Sequence, residues 1–294
     1  MPEHGRSVDA ARGPLTARRG GRDGTLALAV AIAASVALIL SAPAIGSARS
    51  ALRATFKETF GRLIEGGLAS VALAAVVVAL VRIRSQRAWR YGALAAAIGI
   101  AWVYSAATGN ADPAILAVER VHFVEFGLVA WLFLRVWCGR PDASAVVAPF
   151  LAAFIAGVGD EAFQWFLPAR VGELADVALN AVAIGCGVLA GTAFTPPAAV
   201  AGRWRGGSIR LVARLIALTV VALAGFVHLV HLGYRIDEPG IGVFETRFTG
   251  AELDAIGRQR AEAWRLAPPL VRPPRFSRED QYATEGHQLS LIHI

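Results

Sequence analysis

Residues 144–166 read SAVVAPFLAAFIAGVGDEAFQWF, an apolar run that carries no charge until its last turns. A helix that crosses a membrane needs about 20 mainly apolar residues, with a range of about 17 to 25. The run therefore predicts a membrane span, and Asp160, Glu161 and Gln164 lie at its end. Because ionisable groups beside or inside a span are costly to keep, such a group of residues indicates a functional site.

The whole chain has the composition of a polytopic helical membrane protein. Of its 294 residues, 55% are hydrophobic and 17% are charged, and the mean hydropathy is +0.52. A soluble domain of this length would need more polar surface. The net charge of +7 comes from short arginine blocks between apolar runs, so we expect no nucleic-acid partner. Cys138 and Cys186 lie within or beside predicted spans and indicate neither a disulfide framework nor a metal-binding pair.

Seven apolar segments are candidate spans, and they predict an all-α transmembrane bundle. The segments on the N-terminal side of the membrane carry 15 Arg and Lys residues and those on the other side carry 7. The long tail beyond Arg235 is left out of this count, because long segments translocate largely regardless of charge. Positive charge is retained on the cytoplasmic side, so we predict a cytoplasmic N-terminus and an extracytoplasmic C-terminus. Enrichment in Arg and Ala, with Lys57 as the only lysine, indicates a high-GC bacterial genome and therefore the bacterial inner membrane. The predicted spans are residues 25–45, 67–82, 91–108, 119–137, 144–166, 174–194 and 209–232.

The spans divide the chain into successive parts. A basic cytoplasmic tail precedes three N-terminal spans, a core of three spans follows, and a seventh span leads to an extracytoplasmic tail. Residues 289–294 match the peptide that a common sequencing adapter encodes, so we expect them to be an artefact. The other parts are residues 1–24, 25–108, 109–195, 196–232 and 233–288.

Two extramembrane segments carry recognisable helix patterns. In residues 47–66 an apolar stripe lies opposite four cations, which predicts an amphipathic helix in the membrane interface. A solvated connecting helix explains this pattern equally well. In the tail, Thr249-x-x-Glu252 predicts a capping box that opens a helix ending near Leu266.

On this topology, eight polar side chains come together at the outer ends of the fourth, fifth and sixth spans. Pairs three or four residues apart within each span share a helix face. This convergence is the strongest functional signal that the residues themselves provide. The eight are Glu119, His122, Asp160, Glu161, Gln164, Arg170, Asp176 and Asn180.

These residues also resemble a known family pattern. Asp160-Glu161-x-x-Gln164-x-Phe166-x-Pro168-x-Arg170 with Asp176 and Asn180, preceded by Glu119-Arg120-x-His122-Phe123, is similar to the VanZ-like family of bacterial membrane proteins. The resemblance covers roughly residues 91–195. The family usually has Asp-Lys at Glu119-Arg120 and commonly Gly at Ala169. The resemblance implies a link to glycopeptide (teicoplanin) resistance and a cell-envelope setting, and it supplies no reaction and no cofactor.

The first functional hypothesis is a site for an envelope lipid or glycolipid headgroup. Arg170 would hold a phosphate or carboxylate, while Gln164 and Asn180 would bond sugar hydroxyls. Asp176 and Glu119 complete the binding set, and His122 with Asp160 or Glu161 could act as an acid/base pair. The expected partners are membrane lipids and a lipid-linked cell-wall precursor.

Three alternatives remain open from the residues. A divalent cation could lie among Glu119, His122, Glu161 and Asp176, although a Glu-x-x-His spacing is easily matched by chance. A transporter would use the carboxylates to relay protons or ions, but the acidic residues assigned to the site lie near span ends and not at mid-span. The polar groups could also serve only to tie helices together, at roughly 0.6 kcal/mol for each hydrogen bond.

Overall fold

A computed structural model describes residues 14–108, 113–167, 174–198, 200–229, 234–238, 242–246 and 248–266. The main body of this part of the chain is helical, which confirms the all-α prediction. A single 3-10 turn at Lys57–Thr59 joins the first two helices. The seven long helices are α1 (Pro14–Phe56), α2 (Phe60–Arg82), α3 (Arg87–Thr108), α4 (Pro113–Trp137), α5 (Ser144–Gln164), α6 (Leu174–Phe194) and α7 (Gly206–Leu229).

Among the described residues, five helical stretches are long and apolar enough to cross a membrane. The first, Gly24–Arg82, is 59 residues long and contains two of the predicted spans. The others are α3, α5, α6 and α7. α4 is not among them, since Glu119, Arg120, Glu125 and Arg135 make it too charged to qualify by composition. The chain is thus a membrane protein with at least five such stretches.

Contacts between helix termini place the start of α4 beside the start of α2, and the start of α3 beside the end of α6. Arg120, near the start of α4, pairs with Glu65 near the start of α2 at 3.0 Å. Arg90, near the start of α3, donates a hydrogen bond to the carbonyl of Ala193 at the end of α6, 2.6 Å away. The bundle therefore has two polar ends. We call the end with Glu65 and Glu119 the acidic end and the end with Arg90 the basic end.

α4 lies at the centre and contacts α1, α2, α3, α5 and α6. Its charged residues are therefore partly covered by protein, which explains how a helix of this composition fits the bundle. Gly187 on α6 and Gly127 on α4 allow the closest approach, because a Cβ atom on Gly187 would lie 2.4 Å from the Gly127 Cα. Small residues commonly have this packing role where helices meet in membrane proteins. The core around this contact is apolar: Ala31, Phe126, Val129, Ala130, Phe133, Ala153, Ala183, Ile184 and Val188.

Residues 47–66 are not one continuous helix, so the predicted amphipathic segment is divided between two helices. They contain the end of α1, the 3-10 turn and the first turns of α2. Lys57 has a φ of 43°, the left-handed backbone that lets the chain change direction between the two helices. Phe60, at the start of α2, is buried and anchors this corner against the bundle.

The basic end is closed by hydrogen bonds between two loops. Asp142, before α5, is fully buried and accepts from the backbone N–H groups of Ser144 at 3.0 Å and Arg205 at 3.4 Å. The Ser144 hydroxyl also donates to Asp142 and is the main reason that the pKa of this carboxyl is lowered to about 2. Arg140 donates to the Ser208 hydroxyl at 3.1 Å, so the loop before α5 is joined to the start of α7.

The tail contains a hairpin that the sequence analysis did not predict. Strand β1 (Tyr234–Glu238) pairs antiparallel with β2 (Gly242–Thr246). Helix α8 (Gly250–Leu266) follows and confirms the predicted capping box, since Thr249 N–H donates to the Glu252 carboxylate at 2.8 Å and the Glu252 N–H donates back to the Thr249 hydroxyl at 3.3 Å. Residues 1–13 of the basic tail and the adapter-like residues 289–294 lie outside the described residues.

Candidate functional site

The last turns of α5 carry a compact cluster of acidic and amide groups. Asp160 and Glu161 are 7% and 0% exposed, and the Gln164 side chain is 4% exposed. The Gln164 Nε2 donates to Asp160 Oδ2 at 2.9 Å and to Glu161 Oε1 at 3.0 Å. One amide group therefore connects both carboxylates, as their spacing of three and four residues on one helix allows.

α6 completes this cluster with Asn180. Its Nδ2 donates to the Gly157 carbonyl at 3.3 Å and to Glu161 Oε1 at 3.4 Å. Gly157 makes the contact possible, since a Cβ atom there would lie 3.2 Å from the Asn180 Cβ. Asn180 Oδ1 is buried and has no hydrogen-bond partner among the described residues. Buried polar atoms usually find partners, so this acceptor is an exception within the cluster.

A cavity of about 250 Å³ lies beside this cluster, between α1, α2, α4 and α5. Asp160 and Gln164 line it from α5, and His122 and Glu125 line it from α4. Arg49 contributes the cation on the α1 side. The rest of the lining is apolar or small: Leu38, Ala42, Ile45, Ala48, Leu52, Phe60, Ile64, Val118 and Val121. We call this space the main cavity.

Glu161 and Asn180 lie behind the wall of the main cavity. Neither belongs to its lining, and both are 0% exposed. Glu161 accepts hydrogen bonds from both Asn180 and Gln164, and Gln164 lines the cavity. These bonds hold the Gln164 side chain beside Asp160. Of the two carboxylates predicted for acid/base work, Asp160 reaches the cavity and Glu161 supports the residues that do.

Glu119 and Asp176 line a separate and smaller pocket. It has a volume of about 90 Å³ and lies between α3, α4 and α6, with Tyr104, Ser105 and Thr108 on its α3 side. Helix geometry explains the separation. Six residues of a helix place Glu119 and Glu125 about 120° apart around the α4 axis, so they face different spaces.

His122 lies on α4 between these two faces. Its Nδ1 contacts the Glu119 carbonyl oxygen at 3.2 Å. A carbonyl oxygen only accepts, so Nδ1 carries a proton in this contact, and Nε2 is the acceptor whenever the ring carries a single proton. The ring is stacked on Phe126, with centroids 6.1 Å apart, which fixes its plane. Such a histidine is suited to accept a proton from a bound molecule.

The structure thus brings together only part of the predicted set. His122, Asp160 and Gln164 share the main cavity, while Glu119 and Asp176 lie in the other pocket. The predicted Arg170 lies outside the described residues. The four residues considered for a divalent cation are divided in the same way, and the described part of the chain contains no group of three or more His, Cys, Asp or Glu side chains arranged to hold a metal ion.

Sequence reasoning missed two charged residues of the main cavity. Glu125 is the central residue of α4, so an acidic residue outside the predicted set does lie at mid-helix. Its signal was present, because Glu119-x-x-His122-x-x-Glu125 continues the same three-residue spacing. Arg49 was assigned to an interfacial helix, and only the packing of α1 against α4 and α5 brings it to the site.

Comparison with known proteins agrees with the motif resemblance and extends it. Residues 28–195 match the family model described as VanZ/LLP1, and this is more than half of the chain. The match begins well before residue 91, where the motifs alone placed its start, and it therefore includes the part of α1 that lines the main cavity. Comparison with curated proteins and with solved structures gave no match. The chain belongs to the VanZ-like family.

Proposed function

We propose that this membrane protein binds the headgroup of an envelope lipid or glycolipid in the main cavity. One observation carries the proposal: a single space joins polar side chains on α4 and α5 to apolar side chains on α1 and α2. Binding sites for amphiphilic molecules need both kinds of lining, with a few polar groups that fix orientation. A lipid-linked cell-wall precursor belongs to this class of ligand, and its binding would link the protein to glycopeptide susceptibility.

The proposal includes a seven-span topology with the basic end in the cytoplasm of a bacterial cell. α2 has 23 residues and α4 has 25, each enough to cross a bilayer by itself. The basic end carries, at or beside it, Arg82, Arg90, Arg140 and Arg205. Because the cytoplasmic loops of membrane proteins are enriched in Arg and Lys, these residues support a cytoplasmic basic end. The main cavity then opens towards the outer leaflet, and the C-terminal tail is extracytoplasmic.

The lining also supports acid/base chemistry on a bound headgroup. His122 and Asp160 lie on different helices and face the same cavity. An imidazole with one proton accepts at Nε2, and a carboxylate accepts at its oxygens. Either group can therefore take the proton of a ligand hydroxyl. In this proposal Glu161 and Asn180 are positioning residues, since they act through Gln164.

The test fills the cavity without changing its charge. Ala48 is an exposed residue that lines the cavity, and Ala51, one turn further along α1, is exposed but does not line it. We expect Ala48→Trp to lose most co-purified lipid in native mass spectrometry and Ala51→Trp to retain it. Equal lipid retention by the two variants at equal melting temperature would overturn the proposal.

A cellular test uses the polar side of the cavity. Asp160→Asn and His122→Ala should change the level of lipid-linked precursors and the glycopeptide sensitivity of cells that depend on this protein. Glu58→Gln is the matched control, because Glu58 is exposed in the turn between α1 and α2 and lies outside the cavity. Unchanged precursors in both cavity variants, with normal expression, would count against a role in the envelope.

A transport function is the second candidate, because Glu125 is an acidic residue in the middle of a helix. Beyond the cavity, however, the core between α1, α4, α5 and α6 is built from apolar residues such as Phe126, Ala130 and Ile184. Protons need a polar path, so this core favours a binding site that opens at one end. Proton flux into vesicles that is abolished by Glu125→Gln would favour the transporter instead.

A further inference from the structure

We propose that the ligand of the main cavity is a zwitterionic aminophospholipid, with its phosphate beside Arg49 and its ammonium group between Glu125 and Asp160. The inference rests on the proposed function and names the chemical class of the lipid. It follows from the charges of the lining and from the helices that carry them.

The wall formed by α4 and α5 is acidic. Glu125 and Asp160 come from different helices, and the fully buried Glu161 lies directly behind Asp160. Ionised carboxylates only accept hydrogen bonds, and an ammonium group offers three donors with the opposite charge. A phosphate at this wall would meet like charges in a space that is partly shielded from water, where such repulsion is strong.

The α1 side of the cavity carries a cation among apolar residues. Arg49 is the one Arg or Lys in the lining, and its planar guanidinium group matches the oxygens of a phosphate. Leu38, Ala42 and Ile45 lie on the same helix. The α1 residues that line the cavity extend from Leu38 to Leu52, a helix length of about 21 Å.

The kinds of group in the lining match the three parts of an aminophospholipid. The apolar side chains come mainly from α1 and α2, the cation Arg49 comes from α1, and the two carboxylates come from α4 and α5. Such a lipid has an acyl chain, then a phosphate, then an ammonium group. An anionic phospholipid supplies no partner for the carboxylates, and a neutral diacylglycerol supplies none for either charge.

The experiment offers the full-length purified protein an equimolar mixture of phosphatidylethanolamine, phosphatidylglycerol and diacylglycerol, and native mass spectrometry measures the lipid that is retained. We expect phosphatidylethanolamine to be retained over phosphatidylglycerol by roughly tenfold, the factor that one charge-assisted hydrogen bond supplies. Glu125→Gln and Asp160→Asn should remove this preference while both phospholipids still bind.

Two further variants complete the design. Arg49→Gln should weaken both phospholipids relative to diacylglycerol, and Arg62→Gln, a change at an exposed position outside the cavity lining, should alter nothing. Equal or stronger retention of phosphatidylglycerol by the unaltered protein would overturn the aminophospholipid assignment and leave lipid binding intact. Absence of retained lipid in the unaltered protein, with no effect of Ala48→Trp, would overturn the proposed function itself.

Discussion

The two ends of the bundle use buried polar groups in different ways. At the basic end, Asp142 accepts hydrogen bonds from Ser144 and Arg205, and Arg140 donates to Ser208. These contacts join loops and helix ends. At the acidic end, Asp160 and Gln164 are equally well buried, but they line a cavity, and Asn180 Oδ1 behind them lacks a partner.

This difference weighs against a purely structural role for the family motif. Groups that only tie helices together should resemble the basic end, where carboxylate and hydroxyl side chains meet donors from neighbouring segments. A cavity lined by two carboxylates and a histidine adds no stability to the bundle, since burying charge is unfavourable. Proteins commonly accept such a cost at binding sites. The comparison therefore predicts that changes at the basic end lower stability and that changes at the acidic end alter binding.

The largest loss of stability should come from a change at the contact between α4 and α6, the two helices that connect both ends. In Gly187→Ala, the new Cβ atom would lie 2.4 Å from the Gly127 Cα and would force α4 and α6 apart. Overpacking of this kind costs about 3 kcal/mol or more when backbone must move. Melting temperature and lipid retention should fall together, because α4 carries His122 and Glu125.

Gly225→Ala on α7 is the matched control. Nothing lies within 4 Å of a Cβ atom at Gly225, so the higher helix propensity of alanine should leave the protein unchanged or slightly more stable. If Gly187→Ala also melted like the unaltered protein, the close contact between α4 and α6 would not be the frame of the site.

The second largest loss of stability should come from Asp142 at the basic end, and its size should depend on pH. The pKa of Asp142 is lowered from 3.8 to about 2, chiefly by the Ser144 hydroxyl. A lowered pKa in the folded state means that Asp142 stabilises the protein fully above about pH 4 and loses this contribution as the pH falls towards 2. Asp142→Asn should lower the melting temperature at pH 6 and flatten its decline between pH 4 and pH 2.

Measuring lipid retention distinguishes a local loss of stability at Asp142 from a general loss of folding. Asp142→Asn should keep the lipid preference of the unaltered protein, because Asp142 is at the end opposite the cavity. Asp237→Asn in the hairpin is the control, since Asp237 is exposed. A pH profile of Asp142→Asn that matched the unaltered protein would show that other carboxylates control the acid transition.

The third variant, at Glu161, should keep or raise the melting temperature. Glu161→Gln removes a fully buried charge, keeps an acceptor for Gln164 and adds an amide donor close to the unpartnered Asn180 Oδ1. Replacing buried charge is often neutral or stabilising, here by about 1 kcal/mol. We expect an equal or higher melting temperature with weaker lipid binding, the pattern of a residue kept for function.

Glu161→Leu tests the hydrogen bonds rather than the charge. It removes one acceptor from the Gln164 and Asn180 amides, which keep Asp160 and the Gly157 carbonyl, at a cost of about 1 kcal/mol. A lower melting temperature in both variants would mean that Glu161 resembles Asp142 and ties helices together, which would erase the contrast between the two ends.

Composition and apolar run length were sufficient to predict the helical bundle. Each of the seven predicted spans falls largely within a long helix, because about 20 apolar residues leave few other folds open. The hairpin was missed, although Pro239-Gly240 between two five-residue segments is a turn signal. The amphipathic pattern at 47–66 covers two helix ends and the turn between them, and Phe60 and Ile64 of its apolar stripe line the main cavity.

The candidate site was predictable only along single helices. Spacing correctly linked Asp160 with Gln164, since both residues lie on α5. It could not show that Glu119 and Glu125 face different pockets, because the position of neighbouring helices around α4 decides what each face meets. Arg49 shows the same limit, as it reaches the site through the packing of α1 and not through any motif.

The smallest effect should come from the ion pair outside the cavity. Arg120 and Glu65 meet at 3.0 Å, and their side chains are 34% and 46% exposed. Water and salt screen such pairs, so Glu65→Gln should cost about 0.5 kcal/mol or less and even less at high salt. Melting temperatures at low and high salt measure this, with lipid retention expected to stay the same. A large loss of binding in this variant would mean that the functional surface extends beyond the main cavity to the Glu119-Arg120 side of α4, so that the two pockets of the acidic end work as one site.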